Sequence, residues 1–113
     1  MMSTPTVRAG STEVVKFRLL RNNLAFDATG YDEIIVKRRS KAGNVDTYST
    51  DDPSPLVTIE PGSVDTVVLT PDDDTFWEDG SQHYVFYIRV ERGSDVYIFP
   101  TSSYEIVQVI DAF

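Results

Sequence analysis

The sequence has one histidine, His83, and no cysteine among its 113 residues. A histidine acts as a general base only where a nucleophile and an orienting carboxylate converge on it, and no spacing in the sequence singles out such partners. The lack of cysteine excludes disulfides, thiol catalysis and cysteine-bound zinc. We therefore interpret His83 as a surface residue at the start of a strand, and we predict that the chain is not an enzyme and has no catalytic residue.

Two acidic runs, Asp51-Asp52 and Asp72-Asp73-Asp74, are candidate cation sites. A calcium loop places oxygen ligands at alternating positions, usually with a glycine bend and a distal bidentate glutamate, and neither run has this spacing. Thr70 can cap a helix, Pro71 suits its first position, and aspartates favour the positive end of the helix dipole. These residues predict at most one short helix near residues 71–77, no metal site and no cofactor, with a cation site as the alternative.

One basic cluster, Lys37-Arg38-Arg39 followed by Lys41, stands in a chain whose net charge is −8. On a strand, Arg38 points to the face opposite that of Lys37 and Arg39, so the charge is divided between two faces. A solvated strand end is the favoured interpretation. A site for an acidic partner is the alternative, and it makes Arg38 and Arg39 candidate interface residues.

The bulk charge and the apolar pattern restrict the partners of the chain. A net charge of −8 repels phosphate backbones, so we expect no nucleic-acid partner. The first residues have no apolar core after a basic region, so they predict no signal peptide. No apolar run approaches the roughly 20 residues that span a bilayer, so we expect no membrane partner.

The elements that position these residues are predicted by period-two patterns. The clearest is residues 83–90, where Tyr84, Phe86, Ile88 and Val90 share one face. Similar short segments recur along the chain with turn residues between them, at 13–20, 33–39, 45–50, 56–59, 66–69, 96–99 and 103–110. About seven or eight short strands predict an all-β sandwich, with a closed barrel as the alternative. We expect residues 1–10 to be a flexible N-terminal arm and residues 11–113 to be one domain.

The aromatic residues divide into predicted core and predicted contact surface. The core set is Phe17, Trp77, Tyr84, Phe86 and Phe99. The candidate contact residues are Tyr48, Tyr87, Tyr97 and Phe113. Tyrosine is enriched at interfaces because it combines apolar area with a polar tip.

Three segments of the chain carry a family resemblance: residues 8–21, residues 24–39 with Asp27-Ala28-Thr29-Gly30 as the sharpest part, and residues 84–101 ending in Pro100-Thr101. Together they resemble the immunoglobulin-like domain at the N-terminus of phage baseplate upper proteins and of related tail and fibre modules. The resemblance spans most of residues 8–110. It implies an immunoglobulin-like β-sandwich.

The resemblance also implies a function. It indicates a non-enzymatic virion structural protein, an adaptor in a baseplate, neck or fibre base, made in the host cytoplasm. Its partners would be other virion structural proteins in a homo-oligomeric or symmetric assembly. Members of this family usually continue into a long receptor-binding or fibre region, whereas this chain stops at Phe113, which favours an adaptor or a capsid decoration protein. A carbohydrate- or ligand-binding module is the other alternative, and it would expose Trp77 with two tyrosines as a flat platform.

Overall fold

The computed structural model describes residues 6–77, 82–99 and 105–110, and these ranges contain eleven β-strands. The strands are β1 (Thr6–Arg8), β2 (Val15–Arg18), β3 (Leu20–Arg21), β4 (Leu24–Ala25), β5 (Glu33–Ser40), β6 (Val45–Ser49), β7 (Val57–Ile59), β8 (Thr66–Leu69), β9 (Gln82–Arg92), β10 (Asp95–Phe99) and β11 (Glu105–Ile110). The same ranges contain no helix, and hence no apolar helix of the length needed to cross a membrane. The all-β prediction is confirmed.

The larger sheet is organised around β9, the longest strand. One edge of β9 pairs with every residue of β5, and β6 then pairs with the far edge of β5. The other edge of β9 is shared, because β11 pairs with its first half and β10 with its second half. Strand β1 adds to β11 in parallel, while the other pairs of this sheet are antiparallel.

The smaller sheet has the order β2-β8-β7 and faces the larger sheet across one hydrophobic core. Phe17 of β2 and Phe86 of β9 meet there, with ring centroids 5.0 Å apart. The inward side chains alternate with exposed ones along β2 and β9, as expected for half-buried strands. All five aromatic residues assigned to the core from the sequence are buried. The result is a β-sandwich-like fold.

The N-terminal residues are more ordered than the sequence suggested. Residues 6–8 form β1, Val7 is buried in the core, and the Gly10 N–H donates to the carbonyl of Trp77 at 3.0 Å. The prediction of a flexible arm is therefore wrong for residues 6–10, because a single buried valine and a parallel ladder fix this segment. Residues 1–5 lie outside the described part of the chain.

The segment near residues 71–77, where the sequence predicted at most one short helix, is a turn and contains no helix. The Asp73 side chain accepts hydrogen bonds from the Thr75 N–H at 2.9 Å and from the Thr75 hydroxyl at 2.6 Å. An aspartate that accepts a backbone N–H two residues later forms an Asx turn, which uses the same residue types as a helix cap. The two residues that follow, Phe76 and Trp77, are both buried, and their packing holds the segment against the core.

Two tight hairpins confirm turn signals in the sequence. Asn22 and Asn23, between β3 and β4, have φ values of 53° and 63°. A two-residue loop with positive φ at both positions is a type I′ turn, which asparagine tolerates better than most residues. Gly93 and Ser94 connect β9 to β10, and Gly93 has a φ of 61°.

Candidate interaction surface

The outer face of the larger sheet exposes a patch in which apolar and cationic side chains alternate. We call it the outer-face patch, and it consists of Ile35 and Lys37 of β5, Tyr87 and Arg89 of β9, and Val96 and Ile98 of β10. Strand alternation creates it, because the neighbouring positions on these strands point into the core.

Cross-strand register brings the patch together. Ile35, Arg89 and Ile98 lie directly opposite one another on three adjacent strands, and Lys37 lies opposite Tyr87. Five of the six patch residues line a shallow cavity of about 220 Å³, the exception being Val96. Val96 and Ile98 are 48% and 49% exposed, which is high for aliphatic side chains on a sheet. The patch therefore offers apolar area on a rigid surface.

The charge of this face differs from that of the whole chain. Its cations are Lys37, Arg39 and Arg89, and its acidic residues are Glu33 and Glu91 at one end, in a protein of net charge −8. Arg89 Nε lies 3.6 Å from Glu91 Oε2, so part of this charge is paired within the face. The end that holds Lys37 and Arg39 is cationic, and it suits an acidic protein surface.

Of the contact residues predicted from the sequence, Tyr87 and Arg39 lie on this outer face. Tyr97 of β10 points to the opposite face of the sheet. Its ring centroid lies 4.7 Å from that of Phe26 and 5.1 Å from the guanidinium carbon of Arg21. Phe113 lies outside the described residues. The structure thus brings together two of the six and places Tyr48, Tyr97 and Arg38 elsewhere.

Arg38 and Tyr48 share a different site, at the inner side of the sheet. Arg38 is only 8% exposed, and its guanidinium lies 4.1 Å from the ring centroid of Phe76 and 4.6 Å from that of Tyr84. Its Nη1 donates to the Phe76 carbonyl at 2.6 Å, and its Nη2 pairs with Asp46 at 2.9 Å. The guanidinium therefore makes its contacts inside the chain, whereas the sequence favoured a solvated strand end and made Arg38 a candidate interface residue.

Tyr48 covers this arginine site from the rim. Its ring centroid lies 5.2 Å from that of Phe76 and 5.7 Å from the Arg38 guanidinium carbon. Burial raises the pKa of Tyr48 to about 12, and this effect outweighs the opposing influence of the Arg38 charge. The aromatic cage around Arg38 is therefore a structural feature that closes one end of the core.

The Asp27-Ala28-Thr29-Gly30 element is also built into the fold. Ala28 is fully buried, and Asp27 accepts hydrogen bonds from the hydroxyl and the N–H of Thr29, which lower the pKa of that carboxyl group. Arg92 Nη1 then donates to the carbonyls of Asp27 and Thr29, at 2.8 and 3.1 Å. Arg92 thus holds this loop against the end of β9. Gly30 ends the element with a φ of 75°, a backbone conformation that glycine adopts without strain.

The remaining candidates for chemistry lie apart from one another. His83 is exposed on β9. Within the described ranges, no group of three or more histidine and acidic side chains is placed to hold a metal ion. In the first acidic run, Asp52 accepts the backbone N–H of Ser49 at 2.8 Å, so this carboxylate stabilises a turn.

Trp77 does not form an exposed platform. Its side chain is fully buried, and its indole N–H donates to the carbonyl of Glu13 at 3.0 Å. A carbohydrate platform built on Trp77 and two tyrosines, as the binding-module alternative required, is therefore not formed by these residues.

No protein family matches the chain, and no curated protein matches it.

Sequence reasoning missed the apolar members of the outer-face patch. In residues 96–99 every side chain is apolar, so alternation could not show that Val96 and Ile98 point outward while Tyr97 and Phe99 point inward. Ile35 lies in the run Ile34-Ile35-Val36, which has the same ambiguity. The register against the clearly alternating β9 resolves both cases.

Proposed function

We propose that this chain is a non-enzymatic structural protein of a tailed phage particle, and that it acts through protein–protein contacts. The places that fit are a baseplate, a neck, a fibre base or the capsid surface. The family resemblance centred on Asp27-Ala28-Thr29-Gly30 supports the phage assignment. The outer-face patch is the observation that carries the contact role, because it presents apolar and cationic side chains on a rigid sheet.

Exposure of the apolar side chains of this face to water is unfavourable. Isolated exposed aliphatic side chains are common on protein surfaces, but a contiguous group on adjacent strands is typical of interaction sites. The cations between these side chains would select a partner with acidic groups and would fix its orientation. Neighbouring subunits of a particle provide such a partner at high local concentration.

The proposal can be tested directly on purified phage particles. Mass spectrometry of purified particles of the tailed phage that encodes the chain should detect it at a stoichiometric copy number. Tens of copies would correspond to a baseplate, neck or fibre base, and hundreds to a capsid surface. Absence of the chain from purified particles would contradict the proposal.

Two charge reversals distinguish the effect of a charge in the outer-face patch from the effect of surface charge elsewhere. Lys37→Glu inverts a cation within the outer-face patch, and Lys41→Glu makes the same change in the exposed β5–β6 turn. We expect Lys37→Glu to reduce incorporation into particles and Lys41→Glu to leave it unchanged, with both variants folded by circular dichroism. Equal incorporation of the two variants would show that the outer-face patch is not the contact surface.

A further inference from the structure

Strand β10 has an edge that no strand in the described part of the chain covers. Asp95 lies opposite Arg92 across the two-residue turn, so these two residues exchange hydrogen bonds, and Tyr97 and Phe99 likewise face β9. The N–H and C=O groups of Val96 and Ile98 therefore point away from β9. No described residue accepts from or donates to them.

This edge differs from the other edge strands that the structure describes. Strand β2 carries Lys16 and Arg18, both exposed and ion-paired, and β6 carries Asp46. Strands β1 and β7 have three residues each. Charge and short length protect sheet edges against pairing with another chain. Strand β10 has one charged residue, Asp95 at its start, and its other residues, 96–99, are uncharged, so this part of the five-residue strand has neither form of protection.

There is also space beside this edge. A groove of about 430 Å³ runs along β10 and is lined by Arg21 and residues 95–99. Val96 and Ile98 border it with about half of their surfaces exposed. The groove and the unpaired backbone groups together have the properties of a strand-addition site.

We propose that a second copy of this chain occupies the site, with the two β10 strands antiparallel about a two-fold axis at Tyr97. The unpaired groups belong to residues one position before and one position after Tyr97, so the strand is complementary to itself. Val96 of each copy would exchange two hydrogen bonds with Ile98 of the other. The inference deepens the contact role proposed above, from which it takes its biological setting.

Side chains and charge agree with this pairing. Residues opposite each other in an antiparallel pair share a face, so Val96 and Ile98 of both copies would join the two outer-face patches into one surface. Asp95 would lie opposite Phe99 of the other copy, so the one acidic residue of β10 does not meet its own copy across the axis. A different partner would have to supply a matching apolar strand, whereas a second copy already has one.

The strength of the dimer follows from its size. A single strand pair buries much less than the roughly 1,200–2,000 Å² of a standard stable interface, so the dimer is weak in dilute solution. Each copy carries a net charge of −8, and their mutual repulsion is screened by salt. Association should therefore increase with protein concentration and with ionic strength, the opposite of a contact formed by ion pairs.

Amide hydrogen exchange of the purified full chain tests this arrangement residue by residue. In a concentration series at moderate salt, the Val96 and Ile98 amides should exchange more slowly as the protein concentration rises. The Tyr97 and Phe99 amides already bond to β9 and should show no such dependence. Sedimentation velocity on the same samples should show a monomer–dimer equilibrium.

Two matched variants complete the test. Val96→Lys places a charge one residue from the proposed axis, opposite Ile98 of the other copy, and Val45→Lys makes the same change at an exposed valine on the β6 edge. We expect the first to abolish the concentration dependence and the second to retain it. A chain that stays monomeric at every concentration overturns the inference. Slow Val96 and Ile98 exchange in the monomer also overturns it, because a segment of the same chain would then cover the edge. Neither outcome bears on the presence of the chain in particles.

Discussion

Replacing Arg38 with alanine removes the charged group that closes one end of the core. In the native chain its Nη1 donates to the Phe76 carbonyl at 2.6 Å, and its guanidinium stacks on the rings of Phe76 and Tyr84. Its ion pair with Asp46 lies at the surface, because the Asp46 side chain is 52% exposed. The perturbation therefore separates a buried hydrogen bond and ring contacts from a surface ion pair.

The contacts of Arg38 determine how much Arg38→Ala lowers the free energy of unfolding. Loss of a charged hydrogen bond to a buried carbonyl costs about 1.5–3 kcal/mol. Loss of the ring stacking adds about 0.5–2 kcal/mol. Relief of desolvation acts in the opposite direction, since Arg38 Nε has no partner among the described residues and a buried charge is costly. We expect Arg38→Ala to lower the free energy of unfolding by about 3 kcal/mol, and Asp46→Ala to lower it by less than about 1 kcal/mol.

Urea denaturation followed by tryptophan fluorescence measures both values, since Trp77 lies beside the site with its ring centroid 6.0 Å from the Arg38 guanidinium carbon. Arg38→Met serves as a second variant, because it retains the apolar stem and should recover part of the loss. If Asp46→Ala destabilises the protein as much as Arg38→Ala does, the ion pair dominates and the reasoning about the buried site is wrong.

Three further changes test other parts of the fold. The raised pKa of Tyr48 stabilises the protein fully below its ordinary pKa of 10, and this contribution, at most about 2 kcal/mol after allowance for partial exposure, is lost as the pH rises toward 12. Denaturation at pH 9 to 12 should show a steeper loss of stability than for Tyr48→Phe, and identical profiles would refute the assignment. Trp77→Phe leaves the Glu13 carbonyl without its indole donor and should cost about 2–3 kcal/mol by urea denaturation followed by circular dichroism, since Trp77 is the single tryptophan of the chain, whereas a change below about 0.5 kcal/mol would contradict this partly buried hydrogen bond. Asn23→Ala should lower the melting temperature while Asn23→Gly does not, because only the glycine adopts a φ of 63° without strain, and equal effects would exclude the positive-φ turn.

The strands that alternate clearly could be predicted from the sequence. Residues 83–90 switch between buried and exposed along β9, and the structure confirms both the strand and its inward set. Residues 37–39 behave in the same way, since the basic cluster divides into an inward Arg38 and outward neighbours. Alternation predicts such positions because burial on a strand has a period of two.

Other features depended on contacts between distant segments. Residues 6–8 became a strand because β11 pairs with them, and nothing local in that short polar segment indicates a partner about a hundred residues away. Residues 71–77 contain cap-forming side chains that serve an Asx turn equally well, and the burial of Phe76 and Trp77 decides between the two. The depth of Arg38 depends on rings from three other segments, so the sequence shows its face but not its surroundings.

The contact role of the outer-face patch is tested most directly by cryo-electron microscopy of the particle that contains this chain. We expect density of a neighbouring subunit against Lys37 and Tyr87, so that both side chains are buried in the assembly. Particles in which the chain is present but this face is open to solvent, with its neighbours bound to the smaller sheet instead, would contradict it.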